Sequence, residues 1–271
     1  AMIVREGLIE KDTFLGNALI DMYAKCGALV KARQIFDEIQ VRDVVSWTTL
    51  INGYAECGHV EKSLVCYEEM EHEGFSPNEI TYVCILKACA SIGALDKGRK
   101  VHGQIVREGF LEKSILLGVA LVDMYARCGT LGKAQQVFDH LQFRDIVIWN
   151  ALIGGYVHKG HGEEALSYFT RLQCEGRVPD AITFMCVFSA CSGLGAIERG
   201  KEIHAQILSE GLQCKNDSIG NALIDMYAKC DVLSSAQEVF DQIQTRNVIA
   251  WNTLIGAYAQ HGHGDEALDH V

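Results

Sequence analysis

Residues 16–26 read GNALIDMYAKC, and the same eleven letters recur at residues 220–230. A near copy at residues 118–128 lies halfway between them, so both steps span 102 residues (118 − 16 and 220 − 118). Trp47, Trp149 and Trp251 keep the same spacing. Self-similarity at a fixed period is the signature of a repeat architecture, in which each repeat packs mainly on its neighbours.

Each period of 102 residues divides into three related repeats of 31, 35 and 36 residues. Because the chain begins and ends inside a repeat, we expect it to be a piece of a longer array. The complete repeats are 13–43, 44–78, 79–114, 115–145, 146–180, 181–216 and 217–247, with partial repeats at 1–12 and 248–271.

Every repeat is predicted to form two helices. The second helix of repeat 13–43 carries apolar residues at the i, i+3, i+4, i+7 spacing of an amphipathic helix, and Gly27, Gly58 and Gly129 follow the first helices as C-terminal caps. A pair this short cannot bury its own apolar face, so the pairs must stack. The pattern predicts an all-α solenoid of antiparallel helix-turn-helix repeats. The apolar stripe is Leu29, Ala32, Ile35, Phe36 and Ile39.

Composition narrows the functional classes. Apolar residues make up 49% of the 271 residues, which excludes an intrinsically disordered chain. The 24 Lys and Arg against 35 Asp and Glu give a net charge of −11, which weighs against a protein that holds nucleic acid by bulk positive charge. Several of the 11 cysteines recur with the repeat, so we interpret them as small packing residues.

The repeats resemble the pentatricopeptide repeat family. VVSWTTLINGY at residues 44–54 and IVIWNALIGGY at residues 146–156 are similar to the first-helix signature of that family. The alternation of short, standard and long repeats resembles the plant PLS subclass: 13–43, 115–145 and 217–247 as S motifs, 44–78, 146–180 and the partial 248–271 as P motifs, and 79–114, 181–216 and the partial 1–12 as L motifs. The resemblance implies a right-handed superhelical solenoid that binds single-stranded RNA, one nucleotide per repeat.

The resemblance also implies which residues choose the base, namely the fifth and the last residue of each repeat. Val119 departs from the pattern, because its side chain cannot hydrogen-bond a base edge. The implied RNA target is U-A-N-N-U-N-Y-Y, and we expect Asn17, Thr48, Asn150 and Asn221 to line one side of a groove. The implied pairs are Asn17 with Asp43, Thr48 with Asn78, Val119 with Asp145, Asn150 with Asp180 and Asn221 with Asn247, while Asn252 in the partial repeat has no partner.

Two further sets of residues are assigned by the resemblance. Apolar second residues would sandwich the bases, although packing inside the protein explains them nearly as well. Basic residues near the ends of first helices would contact RNA phosphates, although ion pairs with Asp21, Asp123 and Asp225 are an equal alternative. The candidate sandwiching residues are Phe14, Val45, Val147 and Ile249, and the candidate phosphate contacts are Lys25, Arg127 and Lys229.

No enzymatic role, cofactor or metal site is expected. His161-Gly162-Glu163 matches half of a zinc deaminase signature, but no two cysteines stand three apart to supply the other half. The sequence therefore predicts the recognition array of an RNA-processing or C-to-U editing factor of plastids or mitochondria. The alternative is a helical scaffold for protein partners, such as editing cofactor proteins docked on the long repeats, without RNA readout of its own.

Overall fold

A computed structural model describes residues 12–209, 217–243 and 246–262. Within these ranges the chain forms fifteen α-helices and no β-strand, so the predicted all-α class is confirmed. Most of the partial repeat 1–12 and the end of the partial repeat 248–271 lie outside the described residues. The helices are α1 (Thr13–Lys25), α2 (Leu29–Glu38), α3 (Val44–Glu56), α4 (Val60–His72), α5 (Glu79–Ile92), α6 (Leu95–Arg107), α7 (Ile115–Arg127), α8 (Leu131–His140), α9 (Ile146–His158), α10 (Gly162–Cys174), α11 (Ala181–Leu194), α12 (Ile197–Ser209), α13 (Asp217–Lys229), α14 (Leu233–Gln242) and α15 (Val248–Gln260).

Odd-numbered helices are the first helices of the repeats, and even-numbered helices are the second helices. Each first helix begins at the residue from which its repeat is counted in the sequence. The division of the repeats into long, standard and short classes stays a prediction. None of the fifteen helices combines the length and the apolar character that crossing a membrane requires.

The chain forms two compact halves, residues 1–143 and 144–271. In the N-terminal half, the first helices α1, α3, α5 and α7 pack side by side in chain order, and each also packs on the second helix of its own repeat. In the C-terminal half, α9, α11, α13 and α15 form the same kind of layer, with α10, α12 and α14 packed on them. Within each half, the first helices therefore form a continuous layer.

The predicted apolar stripe of α2 is buried along its whole length, from Leu29 to Ile39. Phe36 in this stripe packs edge-on against Trp47 in α3, with the two ring centroids 4.5 Å apart. Burying a large aromatic side chain contributes about 2–3 kcal/mol. The stripe of one repeat is thus covered by the first helix of the next repeat, as the stacking prediction requires.

The turns between helices confirm the predicted glycine caps. Gly27, Gly58 and Gly129 have φ of 71°, 78° and 77°, the left-handed region that glycine enters without steric cost. In repeat 217–247 the same position is held by Asp231, which adopts φ of 61°. Aspartate is among the few residues with a Cβ that tolerate this conformation, so the turn is retained after the loss of glycine.

A close approach of two first helices generates the first prediction. A Cβ added at Gly53 in α3 would lie 2.6 Å from the Cβ of Ala24 in α1. Because both atoms are anchored to helix backbone, Gly53→Ala forces the helices apart and should lower the free energy of unfolding by about 1–3 kcal/mol. Chemical denaturation measures the change.

Gly132→Ala in α8 is the matched control, because a Cβ there meets nothing within 4 Å. The same substitution should be neutral or stabilise by up to about 1 kcal/mol through helix propensity. Equal effects of the two substitutions would show that α1 and α3 leave room for a Cβ at Gly53.

His102 in α6 connects repeat 79–114 to repeat 115–145. Its Nδ1 lies 2.8 Å from the hydroxyl of Tyr125 in α7, and the two rings meet edge-on. His204 and Tyr227 repeat this contact in the C-terminal half, at 2.9 Å. Burial, with a smaller contribution from the charge of Lys133, lowers the pKa of His102.

The lowered pKa of His102 predicts pH-dependent stability. The unfolded chain takes up a proton near pH 6.5 while folded His102 resists it. The stability that neutral His102 contributes is therefore complete above pH 6.5 and is lost as pH falls from there through the lowered pKa of the folded state. The free energy of unfolding of the wild type should therefore fall more between pH 7.5 and 5.5 than that of His102→Phe. Tyr125→Phe keeps the burial and should retain most of the pH dependence. If the free energies of unfolding of the wild type and of His102→Phe changed equally with pH, His102 would not be the source of the pH dependence.

Candidate nucleic-acid interface

The last residues of the repeats cap the first helices that follow them. The Oδ1 of Asp180 accepts the backbone N–H of Thr183 at 2.9 Å, which satisfies a donor that the start of α11 leaves free. Sequence reasoning missed this role, although Asp or Asn directly before an apolar helix is a known start signal. The same N-cap bond is made by every last residue predicted for base readout: Asp43, Asn78, Asp145, Asp180 and Asn247.

Asn150 and Asp180 are hydrogen-bonded to each other. The Nδ2 of Asn150 donates to the Oδ1 of Asp180 at 2.9 Å, and the Oδ1 of Asn150 accepts from the hydroxyl of Thr183 at 2.7 Å. Asn150 is only 8% exposed. Its amide keeps one N–H and one lone pair that these two bonds do not use. A base would therefore meet only the outer edge of the Asn150 amide.

Thr48 lies in an equivalent place in the N-terminal half and is 7% exposed. Its hydroxyl is 2.7 Å from the backbone oxygen of Val44 and 2.7 Å from the hydroxyl of Thr81. Because the hydroxyl has one proton, it donates to Val44 and accepts from Thr81, which leaves one lone pair. The structure thus places Thr48 under the first turn of α5 rather than in an open row.

Asn17 and Asn221 are more exposed than Asn150, and neither carbonyl oxygen has a hydrogen-bond partner among the described residues. The Nδ2 of Asn221 is 3.5 Å from the Oδ1 of Asn247, which is a weak contact. At Asp43, burial opposes ionisation, but hydrogen bonds from Ser46 and the Asn17 amide outweigh it and hold the pKa of Asp43 below its ordinary value.

The predicted row of fifth residues is therefore only partly open. Each of Asn17, Thr48, Asn150 and Asn221 lies against the start of the next first helix, but two of the four are largely buried, because that helix covers them. Asn252 is exposed, and Val119 is half-buried.

The candidate sandwiching residues are all on the surface. Phe14, Val45, Val147 and Ile249 are each more than half exposed, which contradicts the alternative that they pack inside the protein. Sequence reasoning missed three further exposed apolar residues at the same second position, although the repeat register alone was enough to find them. The additional residues are Ile80, Leu116 and Ile182.

The candidate phosphate contacts form the ion pairs that the sequence allowed as an alternative. Lys25 is 2.7 Å from Asp21, and the hydrogen bond and charge of Asp21 raise the pKa of Lys25. Arg127 with Asp123 and Lys229 with Asp225 repeat the pair at 2.9 and 2.7 Å. All three cations are more than half exposed, and exposed ion pairs of this kind add little to stability. They remain accessible to an anion.

Two family models cover most of the chain. The model described as the PPR repeat family matches residues 42–91 and 144–193, and the PPR repeat model matches residues 17–44, 80–110, 221–248 and 249–270. The chain belongs to the pentatricopeptide repeat family.

Relatives with curated names support this membership. The pentatricopeptide repeat-containing protein At3g24000, mitochondrial, of Arabidopsis thaliana is 39% identical over 98% of the chain and 42% of its own length. The relative At3g57430, chloroplastic, of the same plant is 36% identical over 99% of the chain and 31% of its own length. The chain thus spans less than half of the length of these pentatricopeptide repeat proteins.

A solved structure of the family has the same fold. The chain is similar to the pentatricopeptide repeat protein PPR10 from maize, with a TM-score of 0.74 and 20% identity over 94% of the chain and 38% of PPR10. One structure of PPR10 is a complex with an 18-nt psaJ RNA element.

The exposure of the second residues predicts that they contribute little to stability. Val147→Ala removes an exposed side chain and should change the free energy of unfolding by less than about 0.5 kcal/mol. Its neighbour Ile148 is fully buried, so Ile148→Ala should cost about 2–5 kcal/mol. Chemical denaturation of both variants tests the contrast, and a large loss for Val147→Ala would show that this position packs on the protein.

Proposed function

We propose that the chain binds single-stranded RNA sequence-specifically, one nucleotide per repeat, as the recognition array of an organellar RNA-processing or C-to-U editing factor. The observation that carries the proposal is a recurring pair at the start of first helices: an exposed apolar second residue and a polar fifth residue. Val147 and Asn150 are such a pair. Residues three apart lie on the same face of a helix, so one nucleotide can contact both.

The apolar second residue complements the face of a base, and the polar fifth residue complements its edge. An exposed apolar side chain packs on the face of an unstacked base, where hydrogen bonds are not needed. The free N–H and lone pair of Asn150 match a base edge that offers one acceptor and one donor, as uracil does. The RNA complex of PPR10, which shares this fold, supports the same use of this chain.

The repeat lengths and the relatives support the proposed subclass and the proposed organellar location. The alternation of 31, 35 and 36 residues supports the PLS subclass. The relatives named mitochondrial and chloroplastic support a location in one of these organelles. The proposed role is recognition, with any chemistry supplied by another domain or partner protein.

A swap of two residues tests base readout. Asn150→Thr with Asp180→Asn, next to the unchanged Thr183, recreates the natural set Thr48, Asn78 and Thr81. The wild type should prefer the RNA U-A-N-N-U-N-Y-Y over the same RNA with A at its fifth nucleotide, by about five-fold for one net hydrogen bond. The double variant should reverse that preference, as measured by titration of labelled RNA.

The control is the second nucleotide, which faces repeat 44–78 and carries neither substitution. The preference for A at that nucleotide should be the same in the wild type and in the double variant. Equal binding of the target and a scrambled RNA by the wild type would refute sequence-specific readout.

A scaffold for protein partners is the second candidate, and a cavity favours it. The cavity of about 750 Å³ lies beside the long-repeat helix α6 in the N-terminal half and is lined in part by His102, Tyr125, Lys133 and Phe143. Phe143 is largely exposed. An editing cofactor protein could insert an apolar side chain there. An RNA titration that shows no base preference would favour this scaffold function.

A further inference from the structure

We infer that a threonine at the third position of a repeat positions the fifth residue of the preceding repeat for base readout, and that Thr183 does so for Asn150. The inference rests on the proposed function and adds a positioning residue to it. Thr183 itself does not face the base. Its side chain acts by holding the Asn150 amide in one of its two orientations.

The contacts of Thr183 define that orientation. Its hydroxyl accepts the backbone N–H of Asp180 at 3.1 Å, and its one proton lies between two acceptors, the Oδ1 of Asn150 at 2.7 Å and the Oδ1 of Asp180 at 2.9 Å. Asp180 holds the other end of the amide, because an ionised carboxylate only accepts and therefore selects the Nδ2. An amide turned by 180° would lose the bond between its oxygen and the Thr183 hydroxyl and would place that oxygen against the carboxylate of Asp180. Thr183 and Asp180 together thus disfavour the turned amide.

The same arrangement occurs once in the N-terminal half. The hydroxyl of Thr81 is 2.7 Å from the hydroxyl of Thr48 and 3.0 Å from the Oδ1 of Asn78. Asn78 caps α5 just as Asp180 caps α11. A threonine at the third position therefore contacts the preceding fifth residue in both halves, independently of which residue occupies the fifth position.

Two other repeats follow an asparagine at the fifth position, and neither has threonine at its third position, so they provide the contrast. The hydroxyl of Ser46 lies 2.9 Å from the Oδ1 of Asp43, as that of Thr183 does from Asp180, but it makes no bond to the Oδ1 of Asn17. Ala250 has no hydroxyl. The residues that these positions would hold are Asn17 and Asn221. Both have a carbonyl oxygen that is buried and without a hydrogen-bond partner among the described residues. The buried oxygens without partners thus coincide with the absence of the threonine contact.

Amide orientation matters because it distinguishes the two pyrimidines. Uracil offers an acceptor and a ring N–H donor on its pairing edge, whereas cytosine offers an amino donor and a ring acceptor. An amide held in one orientation complements one of these patterns, and an amide that can turn complements both. We therefore expect the Asn150 repeat to separate U from C and the Asn221 repeat to accept either.

Thr183→Val tests the inference by removing the hydroxyl at nearly constant volume. It should reduce the preference for U over C at the fifth nucleotide by about five-fold, the effect of one net hydrogen bond. The variant also loses a contact at the start of α11, but a purely structural loss weakens binding of all RNAs equally and leaves the ratio unchanged. The preference for A at the second nucleotide, which faces repeat 44–78, is the internal control and should not change.

Ala250→Thr is the complementary test, because it adds the missing hydroxyl, and Ala250→Val is its matched control of the same shape. Ala250→Thr should raise the U-over-C ratio at the seventh nucleotide by a similar factor, and Ala250→Val should leave that ratio at the wild-type value. The C-terminal half already accommodates threonine at this position, in Thr183.

The outcomes separate this inference from the proposed function. A wild type without any base preference refutes RNA readout as a whole. A wild type that prefers U at the fifth nucleotide, with a ratio that Thr183→Val leaves unchanged, keeps the proposed function and overturns the role of Thr183. Equal effects of Ala250→Thr and Ala250→Val would overturn it as well.

Discussion

The burial of one repeat's apolar stripe by the next repeat is the constraint on which the structure depends. A pair of helices of 10–14 residues has too little apolar surface to fold alone, so each pair needs a neighbour. Phe36 against Trp47 and Phe240 against Trp251 show the contact, with ring centroids 4.5 and 4.6 Å apart. The contact needs the same residue types at both places, and Phe and Trp accordingly return at these positions with the period of 102 residues.

Within each half, stacking also brings the start of a first helix against the preceding first helix. Asp180 therefore serves two purposes: it caps α11 through the N–H of Thr183, and it holds the amide of Asn150. The proposed readout residues are consequently part of the framework that joins repeats. A substitution that changes base preference also changes a helix cap, so affinity and selectivity must be measured separately in every variant.

The sequence was sufficient for much of this arrangement. Periodicity located the helices, and the stripe of α2 is buried as predicted, because apolar spacing along a helix directly reports its packed face. The exposure of Val147 was left open, since an apolar residue near a helix start suits both a protein core and a base. The burial of Thr48 was not foreseen, because it depends on how closely α5 approaches α3.

What the amino-acid sequence alone determined is the repeat length, the two-helix content of each repeat, the caps at its turns and the register of equivalent residues. These are local properties, set by side-chain spacing and by the conformational preferences of residues such as glycine. Only the tertiary structure decided which of the equivalent residues reach solvent and which hydroxyl holds which amide. Those features depend on distances of a few ångströms between helices that are about thirty residues apart in the chain, and no residue pattern within one helix encodes them.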